Sequence, residues 1–386
     1  MKSSKPSLIG AYGTWAAGLV GKGPPRLSFR SAKFKNVNAW RRQAQKRTWE
    51  LLAAPAMPRT PKVRVVERGE FDGVVWEKLS WQLPSGWGPP TEAVFLTPKN
   101  AKRGQRLPAI LGLHDHGGRK YFGWRKIAQI GERVHPHIEA HRADSYEGLA
   151  WANEAAKRGY AVLVHDTFPF ASRRVKISET SASIASGMTD PVDEDLDSIT
   201  QYNQWAGEHE SIMAKGLFCA GTTWPGVYLR EDQVALSILA ARPEVDATRL
   251  ACAGLSGGGM RTVFLAGLDK RIRTCACVGF MTTWRDFLLN KSFTHTWMTY
   301  VPLLPNDLDF PEILGLRLPL STLVLNTNQD PLYTLEGMKA AGKILRDVYK
   351  KAGAAERFRV SFYDGGHKFD KAMQSEAFEW FERWLS

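Results

Sequence analysis

Over most of the chain, continuous apolar stretches alternate with stretches in which apolar residues recur every three or four positions. Continuous apolar runs are typical of strands buried on both faces of a sheet, and the longer period is typical of amphipathic helices. The apolar runs lie at 107–113, 160–164, 249–253, 272–278, 320–325 and 358–363, and the helical pattern at 147–158, 231–241, 259–268, 335–350 and 369–385. This alternation predicts right-handed βαβ units and a mostly parallel, doubly wound sheet with helices on both faces.

Two further patterns extend this α/β prediction to residues 63–386. Alternating apolar and polar residues at 74–83 and 91–97 flank a Pro- and Gly-rich turn, which predicts antiparallel strands at the N-terminal end of the sheet. The βα alternation is interrupted at about 170–223 and again at 280–316. We interpret these segments as inserts, the first with a helix over 199–217 and the second rich in aromatic residues.

Residues 1–62 form a separate basic N-terminal segment in this interpretation. Of the net charge of +13, all is carried by residues 1–64, which hold 14 Lys and Arg and one acid, because the remaining residues hold 38 bases and 38 acids. A polyanion-binding role is one explanation. The pattern at 39–52 favours another, an amphipathic helix with Trp40, Ala44, Trp49 and Leu52 packed inward and its arginines in solvent, so we expect no nucleic-acid partner.

Composition indicates a soluble globular protein, with 44% hydrophobic and 24% charged residues and no apolar run long enough to span a membrane. Lys2 and Lys5 precede the apolar-leaning stretch 8–20, which resembles a signal sequence but is diluted by glycines. We therefore expect a cytoplasmic protein, and a secreted mature form stays open. The sequence gives no signal for an oligomeric state.

The sequence GLSGG at 254–258 joins the apolar run at 249–253 to the helical pattern at 259–268. It fits the G-x-S-x-G pattern of a nucleophile elbow, in which a serine sits on a tight turn between a strand and a helix. Ser256 is therefore the candidate nucleophile. The backbone NH of Gly257, at the start of a helix, is a candidate donor to an oxyanion.

A serine hydroxyl needs a base, and the base needs an acid to orient it. His367 follows the last predicted strand in the sequence DGGH, and Asp330 follows the preceding strand in NTNQDPL, with Asp286 as a reserve acid. The loop after the strand at 107–113 has the sequence HDHGG. It supplies closely spaced backbone NH groups, of which we select that of His116 as the second oxyanion donor.

These motifs together resemble the dienelactone-hydrolase-like and acetyl-xylan-esterase-like branch of the α/β-hydrolases. The resemblance covers about residues 90–385 and rests on HDHGG, GYAVLVHDTFPFASR, GLSGGG, NQDPLY and DGGHKF. It implies an α/β-hydrolase fold, a cofactor-free carboxylic ester hydrolase with the triad Ser256, Asp330 and His367, and an oxyanion NH at His116. Dienelactone hydrolases proper use a cysteine nucleophile, so the serine indicates the esterase side.

Two other hydrolase mechanisms compete with this prediction. The first is a metal-dependent hydrolase, because His114 and His116 are two apart at a strand end and His135, His137 and His141 follow closely. The acidic ligands usual for such a site do not follow at a matching spacing. The second is a serine peptidase or another acyl hydrolase on the same scaffold. A binding protein on an inactive scaffold is disfavoured, since all three catalytic residue types are present.

The substrate is predicted only by class, as a small-molecule or glycan ester with a short, acetyl-type acyl group. Trp124, Trp224 and Trp284 lie in predicted loops or inserts near strand ends and could form a flat apolar wall for a sugar or aromatic ring. Arg173 could bind a substrate carboxylate. Ordinary core packing of each tryptophan, and a surface ion pair for the arginine, are the simpler explanations.

Overall fold

A mixed nine-stranded sheet forms the centre of the computed structural model, which describes residues 7–84, 86–102 and 104–386. The strand order across the sheet is β1-β2-β3-β5-β4-β6-β7-β8-β9. The strands are β1 (Arg64–Phe71), β2 (Val74–Trp81), β3 (Thr91–Pro98), β4 (Leu107–Gly112), β5 (Ala161–His165), β6 (Val245–Leu255), β7 (Ile272–Val278), β8 (Ser321–Thr327) and β9 (Phe358–Tyr363).

The sheet is antiparallel at its N-terminal end and parallel elsewhere. β1, β2, β3 and β5 pair antiparallel in that order, and every pairing from β5 through β4 to β9 is parallel. The predicted fold class is thereby confirmed. Because β4 and β6 to β9 run in one direction, the loops that follow them meet at one edge of the sheet.

The helices connect these strands and cover the sheet. They are α1 (Gly13–Val20), α2 (Val37–Leu52), α3 (Pro136–Tyr146), α4 (Trp151–Lys157), α5 (Ala182–Ala185), α6 (Leu196–Glu208), α7 (Glu210–Cys219), α8 (Trp224–Ala240), α9 (Gly257–Leu268), α10 (Trp284–Asp286), α11 (Leu304–Asp307), α12 (Phe310–Gly315), α13 (Leu335–Lys351) and α14 (Lys371–Leu385). Within the described ranges, none of the helices has the length and hydropathy needed to cross a membrane.

Successive residues of the central strands feed two apolar cores, one on each face of the sheet. In β4, Ala109 and Leu111 join the core that contains side chains of α8, α9, α12 and α13. The intervening Ile110 joins the core that contains side chains of α4 and α14. This alternation, with both faces apolar, explains why the parallel strands appear in the sequence as continuous apolar runs.

The N-terminal segment packs against the apolar core that contains side chains of α8 and α9. Trp40 of α2 is fully buried, and its indole NH donates to the carbonyl of Leu27 at 2.6 Å. Arg26 and Arg47 both pair with Asp307, at 2.6 and 2.9 Å. Part of the local positive charge is therefore neutralised within the fold. Lys2 and Lys5 lie outside the described residues.

β1 and α3 are among the elements that were not predicted from the apolar pattern. β1 is an edge strand whose polar side chains are largely exposed, so it lacks the apolar run of a buried strand. α3 begins at Pro136, and the imidazole of His135 caps it by accepting the backbone NH of His137 at 3.1 Å. Its buried face includes the polar residues His141 and Arg142, which hide the helical period.

Three predicted helices have different bounds in the structure. The helix expected at 147–158 is α4, which begins only at Trp151. The helix expected at 231–241 begins at Trp224, because the Thr223 hydroxyl accepts the NH of Gly226 at 3.1 Å and Pro225 occupies the first turn. The helix expected at 199–217 is divided into α6 and α7 at His209. The division matters for the site, because α7 begins with Glu210.

Candidate active site

Ser256 lies between the last residue of β6 and the first residue of α9, with φ 56° and ψ −120°. A positive φ at a residue with a Cβ is strained, by roughly 1–3 kcal/mol, and is held by its surroundings. Here the NH of Ser256 donates to the carbonyl of Val278 and its carbonyl accepts from the NH of Met260, both at 2.9 Å. The backbone thus has the conformation expected of a nucleophile elbow.

The glycines around Ser256 are required by close backbone contacts. A Cβ at Gly254 would lie 2.3 Å from the carbonyl oxygen of Leu113, and one at Gly258 would lie 2.0 Å from the same atom. A Cβ at Gly257 would lie 2.8 Å from the amide nitrogen of His116. The two amides selected as oxyanion donors are therefore neighbours across the junction of α9 and the loop after β4.

His367 and Asp330 form a hydrogen-bonded pair at the same edge of the sheet. Nδ1 of His367 lies 2.6 Å from Oδ2 of Asp330, and Oδ1 of Asp330 accepts the NH of Leu332 at 2.9 Å. Nε2 of His367 has no hydrogen-bond partner among the described residues. The reserve acid Asp286 instead accepts the hydroxyls of Thr282 and Thr334 at 2.8 and 2.7 Å.

Ser256 and His367 line one cleft of about 400 Å³. The imidazole lies over the end of β7 next to the elbow, since a Cβ at Gly279 would be 3.0 Å both from Cε1 of His367 and from Cδ1 of Leu255. The cleft is lined by His116, Gly117, Gly118, Gly207, Glu210, Ser256, Gly257, Phe280, Phe293, Thr294, His295, Thr296, Leu332 and His367. The structure therefore brings together all five residues predicted for catalysis, four of them in the lining and Asp330 bonded to one of these.

A buried lysine holds the loop after β4. Nζ of Lys126 donates to the carbonyls of Asp115 and His116 at 2.7 and 2.9 Å. Its side chain is fully buried, and burial lowers the pKa of Lys126 to about 8. The carboxylate of Asp115 accepts the Tyr146 hydroxyl at 2.6 Å and lies 3.0 Å from Nε2 of His141. The backbone next to the His116 amide is thus held in place by Lys126 and by the contacts of Asp115.

Four of the cleft-lining polar residues were not predicted as site residues, namely Glu210, Thr294, His295 and Thr296. Oε1 of Glu210 lies 2.6 Å from Nε2 of His116, and its Oε2 accepts the Thr296 hydroxyl at 2.6 Å. Nε2 of His295 lies 2.9 Å from the carbonyl of Leu332. These contacts join segments far apart in sequence, and no local motif marks them.

The four residues proposed to contact substrate lie outside the cleft lining. Trp124 and Trp224 are buried, the first in the core beside α4 and the second against Phe168. Trp284 is also buried and its indole NH donates to the carbonyl of Leu308 at 3.1 Å. Arg173 is buried in an ion pair with Glu231, so its guanidinium is not available to a substrate carboxylate. The exposed aromatic side chain of the lining is Phe293 of the second insert, which is 72% exposed.

The histidines of the metal-dependent alternative have separate hydrogen-bond partners. His116 contacts Glu210, and His141 contacts Asp115. Nδ1 of His114 lies 3.0 Å from the carbonyl of Asp115. His135 and His137 stack on each other and contact the carbonyls of Glu194 and Leu196. Over the ranges that the structure describes, no group of three or more His, Cys, Asp or Glu residues is arranged to hold a metal ion.

Comparisons with known proteins agree with this architecture. No protein-family model matches the chain. The chain is 26% identical over 294 residues to "Putative hydrolase YtaP" of Bacillus subtilis (strain 168). The matched region covers 76% of this chain and 83% of that protein.

Solved structures with the same fold include several named as esterases. One, described as a "putative acetyl xylan esterase" from Bacteroides fragilis NCTC 9343, has a TM-score of 0.66 at 17% identity and covers 94% of this chain and 84% of its own. A glucuronoyl esterase from Solibacter usitatus has a TM-score of 0.62 at 13% identity and covers 95% and 98%. At these identities the likeness shows the fold, and it confirms the predicted α/β-hydrolase fold.

Proposed function

We propose that this chain, which has the α/β-hydrolase fold, hydrolyses carboxylic esters through Ser256, His367 and Asp330. The proposal depends on one observation above all. A serine on a strained elbow shares a cleft with an imidazole whose Nδ1 is paired with a buried carboxylate and whose Nε2 has no protein partner among the described residues. That is the arrangement a serine needs in order to act as a nucleophile near neutral pH.

In the first half of the reaction, Oγ of Ser256 attacks the ester carbonyl while Nε2 of His367 takes its proton. Asp330 keeps the proton of the neutral imidazole on Nδ1 and stabilises the imidazolium that forms. The negative charge on the carbonyl oxygen is stabilised by the amide NH groups of Gly257 and His116. The imidazolium then protonates the departing alcohol, which leaves an acyl-enzyme on Ser256.

In the second half, a water molecule replaces the alcohol. His367 takes a proton from the water as it attacks the acyl-enzyme, and the same two amides stabilise the second oxyanion. Collapse of the tetrahedral intermediate releases the carboxylic acid, and the proton on His367 returns to Oγ of Ser256. This chemistry uses no cofactor.

The preferred substrate in this proposal is a short-acyl, acetyl-type ester, with carbohydrate esters as the first class to test. A cleft of about 400 Å³ that must hold both the acyl and the alcohol part favours small groups. The apolar side chains of Phe280, Phe293 and Leu332 provide contacts for such groups. The esterase names of structures with the same fold agree with this choice.

The mechanism is tested by Ser256→Ala and His367→Ala with p-nitrophenyl acetate as substrate. Each change should lower kcat by roughly three to six orders of magnitude while the protein stays folded. A chelator series on the unmutated enzyme is the control for the metal-dependent alternative. Activity that survives Ser256→Ala but is lost on chelation would contradict the serine mechanism.

The substrate class is tested with p-nitrophenyl esters from acetate to decanoate, together with acetylated xylan, a methyl ester of glucuronic acid and a peptide anilide. We expect kcat/KM to be highest for acetate and to fall as the acyl chain lengthens. A maximum at long chains would contradict the short-acyl proposal. Faster cleavage of the anilide than of any ester would favour a peptidase on this scaffold.

A further inference from the structure

Glu210 is the charged residue through which the oxyanion loop, defined here as residues 113–118, contacts the second insert. It is the first residue of α7 and is 5% exposed. Its two carboxylate oxygens face different partners. Oε1 lies 2.6 Å from Nε2 of His116, and Oε2 accepts the hydroxyl of Thr296 at 2.6 Å and the NH of Trp297 at 3.2 Å.

The contact with Glu210 determines which nitrogen of His116 carries the proton. Nδ1 of His116 accepts the backbone NH of Gly118 at 3.0 Å, so this nitrogen must be unprotonated. Nε2 then carries the proton and donates it to Glu210. The next two residues, Gly117 and Gly118, have φ values of 53° and 66°, so the loop turns sharply just after the His116 amide. The imidazole of His116 therefore links the backbone of its own loop, at Gly118, to the carboxylate of Glu210.

The same carboxylate reaches the acid of the triad through residues 291–297, which we call the strap. Nζ of Lys291 donates to the carbonyl of Pro331 at 2.7 Å. Thr294 and His295 both contact the carbonyl of Leu332, at 3.1 and 2.9 Å. Pro331 and Leu332 are the two residues after Asp330. The strap thus contacts the loop of residues 328–334 that carries Asp330, called the acid loop here, and at its other end it contacts Glu210.

We propose that Glu210 is a positioning residue that fixes the oxyanion loop through His116 and joins it to the acid loop through the strap. This inference rests on the proposed esterase function. Glu210 contributes no atom to the reaction. It acts through the alignment of the His116 NH, which must point to where the oxyanion forms rather than to the ground-state carbonyl.

The electrostatic setting is consistent with a carboxylate that stays ionised. Burial alone would raise the pKa of Glu210, but the hydrogen bond from His116 and the charge of Lys120, 2.6 Å away, together lower it well below its usual range. Burial likewise lowers the pKa of His116, which favours the neutral imidazole that the Gly118 contact requires. Lys120, itself 2% exposed, compensates the buried negative charge.

The test compares Glu210→Gln with Glu208→Gln, a matched control two residues earlier. The control carboxylate is exposed and bonded to the side chain of Gln204. A glutamine at 210 cannot accept on both sides, because one of its terminal atoms is an NH2 group that would face a donor. We expect Glu210→Gln to lower kcat for p-nitrophenyl acetate about 10- to 100-fold with little change in KM, and Glu208→Gln to change neither.

A second pair of variants, Thr296→Val and Thr296→Ser, separates positioning from folding. Valine removes the hydroxyl that Oε2 of Glu210 accepts, and serine retains it. We expect a kcat loss of about fivefold or more for valine and near-normal kcat for serine. This pair is decisive if Glu210→Gln does not fold.

Inhibitor binding distinguishes a positioning residue from a residue that only supports the fold. A trifluoromethyl ketone analogue of the ester adds to Ser256 as a tetrahedral oxyanion, so its Ki should rise in the variants by the same factor by which kcat/KM falls. The product alcohol, which forms no oxyanion, should bind with an unchanged Ki.

The outcomes distinguish the two proposals. If Ser256→Ala abolishes activity but Glu210→Gln and Thr296→Val keep kcat/KM and the ketone Ki within twofold of the unmutated enzyme, the positioning role is wrong and the esterase mechanism stands. If Ser256→Ala keeps full activity, the esterase mechanism itself fails and this inference fails with it. Loss of kcat/KM with an unchanged ketone Ki would also overturn the positioning role.

Discussion

Nδ1 of His367 lies 2.6 Å from Oδ2 of Asp330, across a sequence separation of 37 residues. The other oxygen of Asp330 accepts the backbone NH of Leu332 at 2.9 Å, so each oxygen of the carboxylate has one assigned donor. This leaves the carboxylate little freedom to rotate. The orientation of the His367 imidazole therefore depends on the turn after β8 that carries Asp330.

Replacement of Asp330 by asparagine should reverse the imidazole tautomer. The asparagine oxygen would accept the Leu332 NH, and its NH2 group would then donate to Nδ1 of His367, which moves the imidazole proton to Nε2. An Nε2 that carries a proton cannot take one from Ser256. We expect kcat to fall by about 10³- to 10⁴-fold with a small change in KM, measured with p-nitrophenyl acetate.

Asp286→Asn is the matched control for that variant. Asp286 follows β7 as Asp330 follows β8, but its oxygens accept the side chains of Thr282, Asn290 and Thr334. We expect a lower thermal midpoint and a kcat within about tenfold of the unmutated enzyme. A larger loss for Asp286→Asn than for Asp330→Asn would mean that the acid has been assigned to the wrong strand end.

Gly257→Ala should damage the oxyanion site without unfolding the protein. The new methyl group would lie 2.8 Å from the amide nitrogen of His116, so the loop after β4 must move. We expect kcat to fall by about 10²- to 10³-fold, as when one oxyanion donor is lost. The control is Gly216→Ala in α7, where no atom lies within 4 Å of the added Cβ. It should leave kcat unchanged, and an equal loss in both variants would exclude a local effect.

The parts of this site that could be predicted from the sequence are those carried by short motifs at strand ends. Ser256, Asp330 and His367 each follow an apolar run, and parallel strands bring such positions to one edge of the sheet. The proximity of the Gly257 and His116 amides also follows from this placement, because the loop after β4 and the start of α9 lie at neighbouring strand ends.

The rest could not be predicted because it depends on contacts between inserts. Glu210 lies at a break between two helices that has no clear signal in the apolar pattern, and it meets His116 and Thr296 from segments 94 and 86 residues away. Conversely, Trp124, Trp224 and Trp284 look available in sequence because they lie outside the strong periodic elements. In the fold they bury large apolar surfaces, which is the commoner use of a tryptophan.

Trp40→Ala should destabilise the whole α/β fold, although Trp40 belongs to the N-terminal segment. The indole is fully buried in the core on the α9 face and donates to the carbonyl of Leu27. Truncation of such a side chain costs about 3–5 kcal/mol of unfolding free energy. Trp15→Ala is the control, because Trp15 is 66% exposed. Urea unfolding should separate the two variants, and equal midpoints would contradict the packing of this segment on the core.

His295 should make the stability of the protein sensitive to mild acid. Burial, partly opposed by the hydrogen bond to Leu332 and reinforced by the nearby His367, lowers the pKa of His295 to about 4. In the unfolded chain the pKa of histidine is about 6.5, so between these values the unfolded state binds a proton that the folded state does not. The contribution of the neutral His295 to the free energy of unfolding is therefore fully present above pH 6.5 and is lost as the pH falls toward 4.

The size of this effect can be isolated with His295→Gln, since glutamine can still donate to the carbonyl of Leu332 but does not titrate. Between pH 7 and pH 5, the unmutated protein should lose about 2 kcal/mol more unfolding free energy than the variant. Urea unfolding at the two pH values measures the difference directly. All other titrating groups are common to both proteins, so their effects cancel in the comparison. A parallel loss of unfolding free energy in the two proteins would show that His295 is protonated in the folded state. The hydrogen bond to the acid loop would then not depend on a neutral imidazole.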